Sequence, residues 1–196
     1  YRNIISCNNT VRRSETKDGL VGFELEGKKF GVIGTGAIGS RVCSIARAFG
    51  CEVYAYSRTI KNLNGVKYVD LDTLLSTCDI VSLHVPLTEE TKGLISSGKI
   101  SLMKKNAVLI NTARGPIIDS KALADALNKG KIAGAGVDVF ETEPPIDTKH
   151  PLLNAKNLIA TPHVAFATKE ALIKRAIIVF DNIKAFLNGS PKNIIS

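Results

Sequence analysis

The sequence predicts a doubly wound parallel α/β sheet with helices on both faces. Three observations carry that expectation. Short apolar runs alternate with amphipathic segments of helical period along most of the chain. The first regular run ends in a glycine-rich turn that opens a helix, Gly34-Thr35-Gly36-Ala37-Ile38-Gly39. Polar motifs then recur just past successive apolar runs, where open α/β sheets bind their ligands.

Taken in order, residues 1–24 are polar and mixed, with no initiator Met, no helix cap and no clear strand. From Lys28 the pattern becomes regular. Phe30–Ile33 is a short apolar run ending in glycine, as a buried parallel strand should be. Ala37–Phe49 carries Ile38, Val42, Ile45, Ala46 and Phe49 at helical spacing and stops at Gly50. Glu52–Tyr56 reads as a strand, Leu71–Ser76 as a short helix and Ile80–Leu83 as a strand. Ile100–Met103 reads as helical, Ala107–Ile110 as a strand, and Ser120–Asn128 as an amphipathic helix ended by Gly130. Ile132–Val137 and Leu158–Ala160 supply further strands. Thr168–Leu187 is a long helix bearing Ala171, Ile178, Phe180 and Phe186, closed by Gly189. The expectation is one dinucleotide-binding domain over residues 1–196, with its core at about 22–165 and a C-terminal helix and tail over 166–196.

Composition narrows the function classes. The hydrophobic fraction of 44% and charged fraction of 22% are those of an ordinary globular protein. No apolar run approaches the roughly 20 residues that span a bilayer, and the start has no signal-peptide pattern. A cytoplasmic location with no membrane partner is therefore the expectation. Cys7, Cys43, Cys51 and Cys78 show neither C-x-x-C spacing nor clustered histidines, so neither a metal site nor a disulfide framework is expected. Lys and Arg outnumber Asp and Glu by 26 to 18, for a net charge of +8. The cations are scattered, without zinc-finger spacing or an aromatic-rich nucleic-acid-binding strand, and nucleic acid is not an expected partner.

The glycine turn carries the first chemistry. Gly34 suits a tight turn, Gly36 lets backbone approach a pyrophosphate, and Gly39 lets helix and strand pack closely. The free amides at the positive end of the following helix suit the anion. A lone G-x-G-x-x-G is weak. Here the strand before it, the helix after it and the next strand at the expected distance make it a Rossmann-type dinucleotide site. Cofactor choice is read at the end of that next strand, where an acid binds the ribose 2′-hydroxyl of NAD. This chain has Ser57-Arg58-Thr59, with Lys61 beyond, and no carboxylate. Two hydroxyls and a guanidinium favour NADP over NAD.

Four motifs follow: His84-Val85-Pro86, Asn111-Thr112-Ala113-Arg114-Gly115, Val137-Asp138-Val139-Phe140-Glu141-Thr142-Glu143-Pro144-Pro145 and Thr161-Pro162-His163. In this order and spacing they resemble the D-isomer-specific 2-hydroxyacid dehydrogenases, which include glyoxylate/hydroxypyruvate reductases and glycerate, phosphoglycerate and D-lactate dehydrogenases. The resemblance runs from about Gly22 to a terminal segment, Asn188–Ile194, of the usual kind. It implies a hydride transfer between a nicotinamide cofactor and a D-2-hydroxyacid or 2-oxo acid. Arg114 would grip the substrate carboxylate and carbonyl, since a planar guanidinium makes two parallel hydrogen bonds. His163 would be the acid/base, because imidazole titrates near neutral pH and serves both directions. Glu143 would be its partner, orienting the ring and favouring its charged form. Glu141 is a rival whose spacing to the prolines fits less well. Ala37 and Ile38 would approach the pyrophosphate. His84, Val85, Pro86 and Thr91 would line the adenosine side, and Thr112, Ala113 and Asp138 would lie near the nicotinamide.

Taken singly, His163 reads as a satisfied core histidine and Glu143 as one acid in a polar loop, with a surface ion pair the alternative for Arg114; the joint pattern reverses the reading of the histidine and the glutamate. The family places a substrate domain first, and this chain starts too late to hold one. The sequence thus reads as an N-terminally truncated molecule that binds dinucleotide but turns over poorly. Hydroxypyruvate or glyoxylate reduction by a homodimer is the expected activity. The alternatives are phosphoglycerate dehydrogenase of serine biosynthesis and a non-catalytic, dinucleotide-sensing protein of corepressor type.

Overall fold

The computed structural model describes residues 1–194, so the last two residues of the expected 166–196 tail lie outside it. Among these residues the strands are β1 (Lys29–Ile33), β2 (Glu52–Tyr56), β3 (Val66–Tyr68), β4 (Ile80–Leu83), β5 (Val108–Asn111), β6 (Gly134–Val137) and β7 (Leu158–Ala160). The helices are α1 (Ile4–Arg12), α2 (Ala37–Ala48), α3 (Leu71–Thr77), α4 (Ser97–Leu102), α5 (Ser120–Asn128) and α6 (Lys169–Leu187). Every strand pair is parallel, in the order β3-β2-β1-β4-β5-β6-β7. The chain winds outward from β1 to β3, then returns to lay β4 on the other side of β1. That reversal is the switch point at which open α/β sheets form their crevice. This is the Rossmann-type fold the alternation predicts.

Adjacent residues of β1 show why helices sit on both faces. Ile33 belongs to a large apolar cluster with Leu74 and Leu75 of α3, Ile100 of α4 and Leu123 and Leu127 of α5. Val32, pointing the other way, belongs to a smaller cluster with Cys43 and Ala46 of α2 and Val53 of β2. β4 is buried along its whole length, as a central parallel strand should be. Cys43, Cys51 and Cys78 are buried as small apolar groups. Burial pushes the Cys78 thiol up to about 12, which keeps it protonated.

Three helix starts, those of α3, α5 and α6, follow the capping rules. Asp70 accepts from Thr73 N at 2.9 Å, Asp119 from Ala122 N at 2.9 Å and Thr168 from Ala171 N at 3.0 Å. At the amino edge of the sheet, Asp79 accepts from Lys29 N and Lys104 Nζ, both at 3.0 Å, tying β1, β4 and the approach to β5 together. Burial alone would raise its pKa, but these donors hold it below the ordinary carboxylate value.

Two elements correct the sequence expectation. α1 forms within the stretch read as irregular. It has no side-chain cap, buries only Thr10 and turns Ile4, Ile5 and Val11 outward, so no core-facing stripe marked it. β3 is three residues at the sheet margin, too short for a period to show. The strand expected over Ile132–Val137 begins at Gly134, and the one over Ala107–Ile110 runs from Val108 to Asn111. α6 buries none of its residues, and Phe180 and Phe186 are exposed on it. None of the described helices is long and apolar enough to cross a membrane.

Leu74 is wholly buried between α3 and β1, where even the absent Cβ of Gly31 would meet it. Leu74→Ala should lower unfolding stability by about 2–5 kcal/mol. A urea midpoint that does not move would show the α3–β1 contact to be dispensable.

Candidate active site

The register of the sheet gathers the motifs. Ile33 pairs with Tyr56 and Leu83, Leu83 with Asn111, Asn111 with Val137, and Val137 with Ala160. Each strand therefore ends at the same edge. The glycine turn, Ser57–Thr59, His84–Pro86, Thr112–Arg114, Asp138–Glu143 and Thr161–His163 all emerge there.

Packing dictates the glycine turn. Gly34 takes φ +94°, and a Cβ on it would lie 2.6 Å from the His84 carbonyl. A Cβ on Gly39 would collide with the Gly34 carbonyl. Gly36 faces open space and is exposed with Ala37 and Ile38, and no side chain caps α2. The first amides of α2 thus stand free, which suits a pyrophosphate.

Beside the turn lies a cavity of about 310 Å³. Gly34, Gly36, Ser57, Arg58, Thr59 and Lys61 line one bank, and His84, Val85, Pro86 and Thr91 line the other. Thr35, Thr88 and Glu90 also line it and were not anticipated. Thr35 lay unremarked inside the glycine motif, while Glu90 carries no signal beyond its charge. Ser57 Oγ accepts from Thr35 N at 3.4 Å, so its own proton remains free to donate. Arg58 stands 3.9 Å from Glu90 across the cavity mouth. Thr91 Oγ1 closes its own loop, accepting from Thr88 N at 2.8 Å and donating to Pro86 O at 2.6 Å. His84 Nε2 lies 2.9 Å from Ser82 Oγ, and burial pushes the ring's pKa down, toward the neutral form.

The second group forms beyond β5, β6 and β7. His163 Nδ1 lies 2.8 and 3.1 Å from the two carboxylate oxygens of Glu143. The opposite nitrogen, Nε2, has no hydrogen-bond partner among the described residues. His163 sits at φ 57°, in the left-handed region. Asp138 holds it there. Asp138 O accepts from His163 N at 2.8 Å, and its carboxylate accepts from Thr161 Oγ1 at 2.5 Å and from Val164 N and Ala165 N, both at 2.9 Å. Burial works to raise the Asp138 pKa, but these donors and the nearby His163 hold it below its ordinary 3.8. The Asp138 carboxylate, expected near the nicotinamide, is bonded to the 161–165 loop.

Arg114 is exposed, and its Nη1 donates to Ala113 O at 2.7 Å. It makes no hydrogen bond to Glu143 or His163 among the described residues. Its neighbour joins the two loops instead. A Cβ on Gly115 would overlap the carbonyl of Phe140 and crowd Glu141 N, so only glycine lets the 114–115 backbone lie against the segment leading to Glu143. Asn111 steadies the same turn, accepting from Ala113 N at 3.0 Å and donating to Arg114 O at 2.9 Å. Thr112 is exposed at the edge. Among the described residues no group of three or more His, Cys, Asp or Glu is arranged to hold a metal ion.

Residues 1–165 match the family model described as D-isomer specific 2-hydroxyacid dehydrogenase, NAD binding domain. The chain belongs to that dehydrogenase family. A glyoxylate reductase of Aeropyrum pernix is 44% identical over 182 residues, which span 90% of this chain and 54% of the relative. A D-3-phosphoglycerate dehydrogenase of Methanocaldococcus jannaschii is 42% identical over 202 residues, spanning 100% of this chain and 38% of that one. Among solved structures, an acyclic imino acid reductase in complex with NADPH and D-Arg superposes with a TM-score of 0.91 at 34% identity, covering 100% of this chain and 63% of that one. The D-lactate dehydrogenase of Aquifex aeolicus, complexed with NAD and lactic acid, gives 0.90 at 36%, covering 96% and 62%. The chain thus spans about half the length of several dehydrogenases it resembles.

Two outcomes follow for this dehydrogenase domain. Gly115→Ala should destabilise it by about 1–3 kcal/mol and shift the His150 and His163 ring signals in NMR while leaving His84 in place. Unmoved ring signals would mean that the two loops are not coupled there. Asp138 has a depressed folded pKa, so its contribution to stability is complete above 3.8 and is lost as pH falls below that value. The gap in urea stability between wild type and Asp138→Asn should therefore be widest near neutrality and close on acidification; a gap independent of pH would contradict this.

Proposed function

We propose that this chain is the dinucleotide-binding domain of an NAD(P)-dependent oxidoreductase that interconverts D-2-hydroxyacids and 2-oxo acids. Hydroxypyruvate or glyoxylate reduction is the favoured reaction. The observation that carries the proposal is the His163–Glu143 pair, 2.8 Å apart, at the same sheet edge as the glycine turn and Arg114. Relatives named glyoxylate reductase and hydroxypyruvate reductase, 44% and 45% identical, support the substrate class. Phosphoglycerate dehydrogenase is the second reading, supported by the Methanocaldococcus relative at 42%.

In this reading Glu143 receives the Nδ1 proton of His163 in a hydrogen bond and so leaves Nε2 facing the reacting carbonyl. Nε2 gives its proton to the carbonyl oxygen on reduction and takes it back on oxidation. Arg114 binds the substrate carboxylate through two parallel hydrogen bonds and polarises the carbonyl. Its turn toward solvent at Ala113 is an arrangement that a substrate carboxylate would displace. The nicotinamide, when bound, supplies or accepts the hydride. The free α2 amides, Ala37 and Ile38 hold the pyrophosphate, and His84, Val85, Pro86 and Thr91 take the adenosine side. Thr112, Ala113 and Asp138 lie at the nicotinamide end. Ser57, Arg58 and Thr59 favour NADP(H) over NAD(H), because no carboxylate follows β2 to take the ribose 2′-hydroxyl. Two hydroxyls and a guanidinium stand there instead, with Glu90 reaching Arg58 only from across the cavity mouth. A cytoplasmic homodimer is the proposed setting, supported by free cysteines and by Ile38, Ile45 and Phe49 exposed along α2.

The test is turnover of the enzyme carrying this domain over glyoxylate, hydroxypyruvate, pyruvate and phosphohydroxypyruvate, with NADH and NADPH in parallel. His163→Ala should cut kcat by about 10²- to 10⁴-fold and leave nucleotide affinity unchanged. Arg114→Lys should cost about ten- to hundred-fold in kcat/KM for lost charge-assisted hydrogen bonds. Nucleotide binding without turnover on any 2-oxo acid would sink the reading and leave a dinucleotide sensor.

A further inference from the structure

Tyr68 closes β3 and pairs in register with Ala55 of β2. It takes no part in the chemistry above, yet its hydroxyl bridges two segments of the cavity wall. It donates to Thr35 Oγ1 at 3.1 Å and accepts from Lys61 N at 3.2 Å. A phenol has one proton to give, and here it is committed to the glycine turn. The accepting lone pair is committed to the middle of the loop that carries Ser57, Arg58 and Thr59.

The two ends of this bridge differ in burial. Thr35 is 1% exposed, its N donates to Ser57 Oγ at 3.4 Å, and its O accepts from Ser40 Oγ at 2.9 Å. The loop beyond Ser57 is far more exposed. Ile60 is 72% exposed, and Lys61 O accepts from Leu63 N at 2.9 Å. The Arg58–Glu90 pair is 3.9 Å apart with both side chains largely in water, where such pairs contribute little. Tyr68 is thus anchored on a fixed partner, and what it fixes is the position of Lys61.

We propose that Tyr68 is a positioning residue for the 2′-phosphate of NADP(H), acting by holding the 57–61 loop at the depth where its hydroxyls and cations meet that phosphate. The proposal rests on the NADP(H) reading above. A loop ordered before binding spends none of the ligand's affinity on its own ordering. The groups specific to the 2′-phosphate lie on the tethered loop, whereas those for the rest of the nucleotide lie on the glycine turn and the β4 side. Loss of the tether should therefore be felt selectively.

Tyr68→Phe removes the hydroxyl and keeps the ring. The wild-type chain and this variant are titrated calorimetrically with 2′,5′-ADP and with 5′-ADP at one ionic strength, alongside thermal unfolding of each. The variant should lose about three- to ten-fold in affinity for 2′,5′-ADP, the range of one net hydrogen bond, and less than about two-fold for 5′-ADP, with unfolding little changed. A selective wild type whose preference survives in Tyr68→Phe, or a variant that loses both nucleotides equally, overturns the role of Tyr68 alone. A wild type that does not distinguish the two nucleotides overturns the NADP(H) reading and this assignment with it.

Discussion

The register of the parallel sheet is the constraint on which everything else depends. Because Tyr56, Ile33, Leu83, Asn111, Val137 and Ala160 align across six strands, loops far apart in sequence begin at one edge. A slip of one residue would move each strand's side chains to the opposite face of the sheet. The two apolar clusters oppose such a slip, since alternate residues of β1 are buried on opposite faces. At the other edge Asp79 links the Lys29 amide to Lys104, so the amino ends cannot slide independently. The loops at the carboxyl edge are thus located by burial along the whole sheet.

Within that frame Asp138 couples site geometry to folding. A carboxylate 4% exposed cannot remain charged without donors, and here Thr161 and two backbone amides supply them. The same bonds fix the loop that presents His163 in a left-handed conformation, a strain of order 1–3 kcal/mol that isolated chain would relax. Gly115 does the equivalent across the β5–β6 boundary by letting two backbones touch. Neither residue need meet a ligand to matter. Each sets where a neighbouring side chain, His163 or Glu143, begins.

Much of this was legible in the residues. Glu52–Tyr56, Ile80–Leu83, Ser120–Asn128 and Leu158–Ala160 agree with the structure at both ends, because each has a full apolar pattern and a clear stop. α1 was not legible, since its apolar residues face outward and leave no stripe. β3 was not, since Val-Lys-Tyr is too short to show alternation. The proximity of Glu143 to His163 was expected from motif resemblance alone; spacing could not give it, because the approach depends on a loop-to-loop contact across β6 and β7. The roles of Tyr68 and Gly115 were hidden for the same reason. A hydroxyl that bridges two loops and a glycine that admits a carbonyl are properties of packing, and local pattern does not carry them.

The choice between Glu141 and Glu143 shows how structure separates similar carboxylates. Both pair with an imidazole at 2.8 Å, Glu141 with His150 and Glu143 with His163. His150 is satisfied at both nitrogens: Nδ1 accepts from Leu152 N at 3.3 Å, which leaves Nε2 as the donor to Glu141. Its ring also packs edge-on against Phe140, and its side chain is 15% exposed. Such an imidazole has no free nitrogen to exchange a proton with a substrate. His163 is engaged at Nδ1 by Glu143 and, among the described residues, carries its other nitrogen unspent, at the sheet edge where the dinucleotide turn opens. Burial works to raise the Glu141 pKa, but the nearby Ser120 hydroxyl and the hydrogen bond to His150 hold it low, as befits a carboxylate fastening the 140–152 segment. The exposed Glu143 has no such fastening to perform. One pair is closed on itself and secures the loop, and the other is open on one side, which is the arrangement acid–base chemistry needs.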